Sequence, residues 1–193
     1  MHNGWAVGDG FLAPDVVAQL AAEAHDGIVV GAFQPAQVGR GGGRMLHSEI
    51  RQDRICWLKP DALSEAQQIY WNQFEPLRMA FNQALYLGLF DYEAHFASFP
   101  AGTHYKRHLD QFQEVGLRTV SCVLYLSDRW LTTDGGALRL FLAHGHHDVL
   151  PQAGRLVCFM SDQFYHEVRP ASRERLSITG WFKKRPNLPV GVV

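Results

Sequence analysis

His108-Leu109-Asp110, a lone His166 further along, and Arg175 nine residues beyond it are the residues of this chain best suited to do chemistry. Positions separated by one residue share a face of a β-strand, so His108 and Asp110 can address one metal ion. His166, carried on a second strand, would complete a face of two imidazoles and a carboxylate. Such a face leaves three positions of an octahedral ion open, the arrangement used by non-haem Fe(II) oxygenases. Arg175 lies about a strand's length past His166, and its planar fork suits the far carboxylate of a dianionic co-substrate. A His-x-Asp pair alone is weak and can be an exposed turn pair. Joined to a distal histidine and an arginine in a strand-rich stretch, it becomes a strong signal.

Alternation along the strand expected from Arg175 puts Arg175, Ser177, Thr179 and Trp181 on one face. Leu176, Ile178, Gly180 and Phe182 take the other, which is apolar. The polar face either meets solvent or lines a pocket. Trp181 is a poor solvent residue, and a polar face ending in arginine suits a carboxylate pocket. Tyr125 shares its strand face with Ser121 and Val123. It is either a core tyrosine or a second donor to the carboxylate held by Arg175.

The elements that must carry these residues fall in two halves. Pro14–Asp26 has a helical stripe of Val16, Val17, Leu20, Ala21 and Ala24, with Gly27 as its stop. A strand is expected over Ile28–Phe33, a glycine-rich loop over Gln34–Arg44, and a returning strand over Ile50–Leu58. Ser64-Glu65 opens a longer helix to about Leu87, with Ile69, Phe74, Leu77, Phe81 and Leu85 as its buried side and Pro76 as a kink. From Tyr92 onward short strands alternate with turns: Tyr92–Phe99, Thr103–Asp110, Thr119–Leu126, Leu138–Leu142, Arg155–Met160, Glu167–Val168 and Arg175–Lys183. Helices first and strands later, without βαβ alternation, predict a mainly β fold: a double-stranded β-helix, or jelly roll, backed by two helices from the N-terminal half. Residues 1–193 read as one domain, with helical support about 14–87, an earlier strand pair within 28–58 and a jelly-roll core about 92–184.

A net charge of -1 calls for neither nucleic acid nor an anionic membrane as partner. Cys56, Cys122 and Cys158 are odd in number and form no CxxC pair, so no disulfide framework is expected and a reducing cytoplasm fits. The first residues lack the basic start and apolar core of a signal peptide. No apolar run approaches the ~18 residues of a membrane span. A monomer is expected. His144, His146 and His147 read as an exposed hairpin tip, and Gly39–Arg44 lacks the Gly-Lys-Ser/Thr of a phosphate loop.

The segment Phe99-Pro100-Ala101-Gly102-Thr103-His104-Tyr105-Lys106-Arg107-His108-Leu109-Asp110 resembles the metal-binding strand of 2-oxoglutarate- and Fe(II)-dependent prolyl hydroxylases. The branch of closest likeness is that of the hypoxia-inducible-factor prolyl hydroxylases and their bacterial relatives. Arg118–Ser127, Gly135–Phe141, Ser161-Asp162 with His166–Ala171, and Arg175–Phe182 agree; Ile50–Leu58 resembles the strand after the family's mobile substrate-covering loop. The resemblance implies that His108, Asp110 and His166 bind Fe(II). It implies that Arg175 binds the distal carboxylate of 2-oxoglutarate with help from Tyr125 and Thr179, while Val123, Leu138 and Val168 wall the pocket. Tyr105, Arg118 and Trp181 would border a peptide, and Arg51 and Asp53 would sit at the base of the loop. Dioxygen is the second co-substrate, and ascorbate a candidate reductant. One departure is Phe99, where animal members carry a tyrosine near the pocket mouth. The compact length favours the bacterial branch, whose implied substrate is a prolyl residue of elongation factor Tu.

The expected function is therefore hydroxylation of a protein proline at C4, with release of succinate and carbon dioxide. Two other readings stand beside it: a 2-oxoglutarate oxygenase of a small molecule, and a cupin-like metal-binding sensor without turnover.

Overall fold

The computed structural model describes residues 3–37, 47, 49–111 and 117–186. Strand β1 (Trp5–Gly8) leads into helix α1 (Pro14–Val29), followed by the short strands β2 (Gln34–Pro35) and β3 (Arg54–Trp57) and helix α2 (Glu65–Leu85). The rest is β-structure: β4 (Leu89–Phe99), β5 (Tyr105–His108), β6 (Arg118–Tyr125), β7 (Leu138–Leu142), β8 (Gly145–Val149), β9 (Leu156–Met160), β10 (His166–Val168) and β11 (Arg175–Lys184).

Proline in its first turn and Asp15 beside its N-terminus start α1, which buries Val16, Val17, Leu20 and Ala24. Ser64 caps α2 by accepting from the Gln67 backbone N–H at 3.2 Å. The same hydroxyl donates to Glu23 at 2.6 Å and the Gln67 amide donates to the other Glu23 oxygen at 2.7 Å, tying the two helices together. Tyr86 ends α2 in the left-handed conformation with φ 53°.

Two antiparallel sheets make the jelly roll. The larger runs β1-β9-β6-β11-β4-β3-β2 and the smaller β5-β10-β7-β8. Alternation gives the larger sheet two buried faces. Leu176, Ile178 and Phe182 of β11 and Phe96 of β4 point outward and pack under Leu20, Tyr70 and Phe74 of the helices. Burying such side chains stabilises by roughly 1.5–3 kcal/mol each. The opposite face joins Ala97, Phe99, Val123 and Tyr125 to Leu138, Leu140 and Val168 of the smaller sheet. Between the sheets this second core opens at one end, and that opening is the site.

Four local expectations are corrected. Helix α1 runs through Gly27 to Val29, so no strand spans Ile28–Phe33. Gly27 lies within the helix, and a Cβ there would sit 3.0 Å from the Phe33 ring, so the glycine allows close packing rather than stopping the helix. The early strand pair is instead β2 with β3, and β2 falls at the start of the stretch expected to be loop. On α2, Ile69 is exposed; the buried stripe is Ala66, Tyr70, Phe74 and Phe81, and the helix continues across Pro76. The histidine-rich tip is longer than a turn, since Gly145–Val149 pairs with β7 as an edge strand with exposed His146 and His147. Residues 38–44 of the glycine-rich loop and the tail from 187 lie outside the described residues. The cysteines are free, yet Cys122 and Cys158 are register partners whose sulfurs lie 3.3 Å apart in the core. Among the described residues, no helix is long and apolar enough to cross a membrane.

Candidate active site

His108 ends β5, Asp110 follows it, and His166 opens β10 directly opposite His108 in register. Pairing of two strands far apart in sequence thus assembles the triad. The three ligand atoms lie within 4.8 Å of one another, the only such group among the described residues. Asp110 Oδ1 is 3.5 Å from His108 Nε2 and 3.6 Å from His166 Nε2. Each histidine turns its other nitrogen to a backbone carbonyl: His108 Nδ1 to Lys106 at 2.7 Å and His166 Nδ1 to Phe164 at 3.1 Å. A carbonyl only accepts, so both Nδ1 atoms carry hydrogen and both Nε2 atoms are turned to the shared centre. Ser121 donates to Asp110 Oδ2 at 2.6 Å and lies 2.9 Å from the Ser161 hydroxyl, leaving Oδ1 turned to the histidines. Burial would raise the Asp110 pKa, but the two histidines outweigh it and hold the carboxyl well below its usual range. Burial, and then the neighbouring His166, lowers that of His108. An ionised carboxylate and two imidazoles whose Nε2 atoms converge on it fit a divalent iron and leave room for further ligands.

Beside the triad lies a cavity of about 640 Å³, far more than a small dicarboxylate fills. Three neighbouring strands make its floor. Along β11, Ser177 is flanked by Ala97 and Tyr125, Thr179 by His95 and Val123, and Trp181 by Glu93 and Ser121. Arg175 is buried at the deep end, its guanidinium carbon 5.1 Å from the Phe99 ring centre and 4.9 Å from that of Tyr125. Burial depresses the Arg175 pKa and raises that of Tyr125. The two groups attract electrostatically without a well-formed hydrogen bond, and among the described residues the Tyr125 hydroxyl and Arg175 Nε have no hydrogen-bond partner. Ser177 Oγ and Trp181 Nε1 are likewise buried and unpartnered, on the same face of the same strand. An unsatisfied buried polar atom costs roughly 1–3 kcal/mol. Two of these residues, Arg175 and Trp181, line the cavity, and a surface with such unsatisfied atoms is shaped for a polar ligand.

Of the residues singled out in the sequence, Thr179, Val123, Leu138 and Val168 line the cavity with Arg175 and the triad. Tyr105, Arg118, Trp181, Arg51 and Asp53 line it too. Tyr125 does not; it stands fully buried behind the wall, beside Arg175. Arg51 grips Asp53 through two hydrogen bonds of 2.8 and 2.6 Å and covers the Tyr105 ring at 4.4 Å, and Tyr105 stacks on His108 at 3.5 Å. Burial pushes the Tyr105 hydroxyl up to about 12. Arg118 covers the Trp181 indole at 3.6 Å and is anchored by Glu93. Sequence reasoning missed the support of Asp110 by Ser121 and Ser161. It also missed His95 and Trp57 in the lining. Strand parity grouped Ser121 with Val123 and Tyr125; His95 left only the mark of a histidine in an apolar strand.

A jelly roll presenting two imidazoles and a carboxylate at its open end, with a buried arginine on the floor, is the framework of a non-haem iron oxygenase that takes a carboxylate co-substrate. Comparison with known proteins agrees. The family model described as the 2OG-Fe(II) oxygenase superfamily matches residues 94–183. A crystal structure of a Pseudomonas putida prolyl-4-hydroxylase is 47% identical, with a TM-score of 0.87 over 95% of this chain and 94% of that one. A Trichoplax adhaerens prolyl hydroxylase, solved with a hypoxia-inducible-factor oxygen-degradation-domain peptide, is 26% identical with a TM-score of 0.86 over 94% and 84% of the two chains. Human Egl nine homolog 1 is 30% identical over 190 residues, which cover 93% of this chain and 44% of the human protein. The chain therefore spans less than half the length of that relative. It belongs to the 2-oxoglutarate- and Fe(II)-dependent oxygenase superfamily and has prolyl 4-hydroxylases among its homologues. Enzymes of this superfamily use Fe(II), 2-oxoglutarate and dioxygen.

Proposed function

We propose that the protein hydroxylates C4 of a prolyl residue within a polypeptide, converting 2-oxoglutarate to succinate and carbon dioxide, with elongation factor Tu as the candidate substrate. The likeness to the Pseudomonas putida prolyl-4-hydroxylase across nearly the whole of both chains carries this reading. The volume of the cavity beyond what a small dicarboxylate occupies supports it.

His108, Asp110 and His166 would hold the iron, with the two Nε2 atoms and Asp110 Oδ1 as the ligand atoms. When bound, the iron supplies the redox chemistry that activates dioxygen against an unactivated C–H bond. Ser121 fixes the Asp110 carboxylate, and the Lys106 and Phe164 carbonyls fix the imidazole tautomers. Arg175 receives the far carboxylate of 2-oxoglutarate on its planar fork, and Tyr125 donates its hydroxyl to the same group. These contacts satisfy two of the orphaned atoms on the floor. Thr179 lies along the co-substrate's length, and Val123, Leu138 and Val168 exclude water from it. Tyr105, Arg118 and Trp181 border the polypeptide, with Arg51 and Asp53 bracing Tyr105.

Incubation with Fe(II), 2-oxoglutarate and a prolyl peptide of elongation factor Tu tests the reading. Addition of one oxygen to proline, matched by succinate, supports it. Succinate release that a small molecule stimulates and no prolyl peptide does would assign the pocket to a small-molecule substrate.

A further inference from the structure

The proposed roles leave one buried histidine of the cavity floor unused. His95 on β4 lies directly opposite Thr179, lines the cavity and is 3% exposed. Its Nδ1 is 3.1 Å from the Phe96 carbonyl oxygen, so that nitrogen carries the hydrogen of the neutral ring. Burial pushes the pKa of His95 down to about 4, which keeps the ring neutral near pH 7. Nε2 is then a bare acceptor, and it makes no hydrogen bond among the described residues. Indoles flank the ring: Trp57 meets it edge-on at 5.0 Å and Trp181 lies at 5.4 Å. Trp57 is 42% exposed, so this corner reaches from the floor to the mouth of the cavity.

We infer that His95 is a substrate-recognition residue, whose Nε2 accepts a hydrogen bond from a backbone N–H flanking the target proline. The inference rests on the prolyl reading above. A neutral acceptor flanked by two indoles suits a ligand that is apolar in bulk and brings one donor. It disfavours an anion, whose oxygens meet the Nε2 lone pair. A prolyl residue inside a chain has an apolar ring and no N–H of its own. The donor must therefore come from a neighbouring residue, which makes this corner selective for proline embedded in a polypeptide. Arg175 and Tyr125 serve the far carboxylate, whereas the ring of His95 is bracketed by Trp181 and the half-exposed Trp57 toward the mouth, which assigns it to the substrate.

The test pairs protein variants with altered peptides. A prolyl peptide that the enzyme hydroxylates is remade with an ester in place of the amide N–H of the residue before the proline, and separately of the residue after it. In the wild type one of the two esters raises the peptide KM roughly two- to twelvefold, the worth of one neutral hydrogen bond. His95→Phe keeps a ring and loses the acceptor; it raises the KM of the all-amide peptide by a similar factor and is indifferent to the ester. His95→Gln, which places an amide oxygen near the position of Nε2, recovers part of the loss. The 2-oxoglutarate concentration that half-protects the Mn(II)-loaded protein against heat stays at its wild-type value in both variants. The inference is overturned if neither ester costs the wild type more than it costs His95→Phe. It is also overturned if Gln is no better than Phe, or if the variants shift the 2-oxoglutarate requirement instead of the peptide KM. The ester series on the wild type needs no variant to fold. A wild type that hydroxylates no prolyl peptide overturns the parent reading and this one together; an active but ester-insensitive wild type overturns this one alone.

Discussion

Replacing Arg175 by Met should make the ligand-free protein more stable while removing its response to 2-oxoglutarate. Arg175 is 2% exposed and packs between the Phe99 and Tyr125 rings, with no carboxylate at ion-pair distance among the described residues. An unpaired buried charge costs several kcal/mol. Contact with an aromatic face recovers about 0.5–2 kcal/mol. A net burden on the order of 1–3 kcal/mol remains. Methionine fills a similar volume with a flexible apolar chain and should lift that burden. In a chain of this size each kcal/mol moves the melting temperature by ~2–4 °C, so the metal- and ligand-free variant should melt roughly 2–12 °C higher. The wild type loaded with Mn(II) should gain about 2.7 kcal/mol from 2-oxoglutarate at a hundred times its Kd. The variant should gain nothing from 2-oxoglutarate. Differential scanning calorimetry of both proteins, with and without Mn(II) and 2-oxoglutarate, gives the comparison. A variant that melts below the wild type without ligand and keeps the full 2-oxoglutarate shift would place the carboxylate site elsewhere and refute the reasoning.

Other perturbations probe the neighbouring parts of the site and its frame. Arg175→Lys keeps the charge and loses the fork, and a hydrogen bond to a charged group is worth ~1.5–3 kcal/mol, so the 2-oxoglutarate requirement should rise at least about tenfold; an unchanged requirement in succinate-release assays counts against a bidentate contact. Ser121→Ala removes the 2.6 Å hydrogen bond that fixes Asp110, and Mn(II) affinity measured by competition should fall roughly 10–100-fold with the melting temperature little changed. His95 titrates at 6.5 when unperturbed and about 4 when folded, so the unfolded chain binds more protons between those values. Stability from this group is complete above about pH 6.5 and falls as the pH drops toward 4, by up to about 3 kcal/mol. Urea unfolding of His95→Phe without metal should lack that part of the acid loss, and parallel wild-type and variant curves would contradict it. Gly180→Ala would put a Cβ 2.1 Å from the Tyr92 hydroxyl, which is bonded to that of Tyr70 at 2.6 Å in the core; destabilisation of about 2 kcal/mol or more should appear as a lower urea midpoint.

The chemistry of the site was legible because it depends on short-range spacing. His-x-Asp and the alternation of Arg175, Ser177, Thr179 and Trp181 are local patterns, and β11 realises the second with Arg175, Thr179 and Trp181 in the cavity and its apolar face under the helices. What escaped depends on strand pairing. Ser121 and Ser161 support Asp110 only because β6 pairs with β9 and Asp110 returns over both; no spacing along the chain reveals it. His95 sits in an apolar run whose two faces are both buried, where parity cannot tell core from pocket. Gly27 does not end the helix, because a cost of about 1 kcal/mol for glycine in a helix is small enough for tertiary context to override, and the glycine here admits the Phe33 ring. Polar Gly145–Val149 concealed an edge strand, whose exposed residues need no apolar pattern.

The central claim is that His108, Asp110, His166 and Arg175 serve one oxygenase site acting on peptidyl proline. Its most direct measurement is turnover of a prolyl peptide under isotopically heavy dioxygen, with the wild type and Asp110→Ala side by side. The account expects heavy oxygen on the proline, succinate formed in step with it, and neither product from the variant. Hydroxyproline without the heavy isotope, or labelled product from Asp110→Ala at the wild-type rate, would contradict it.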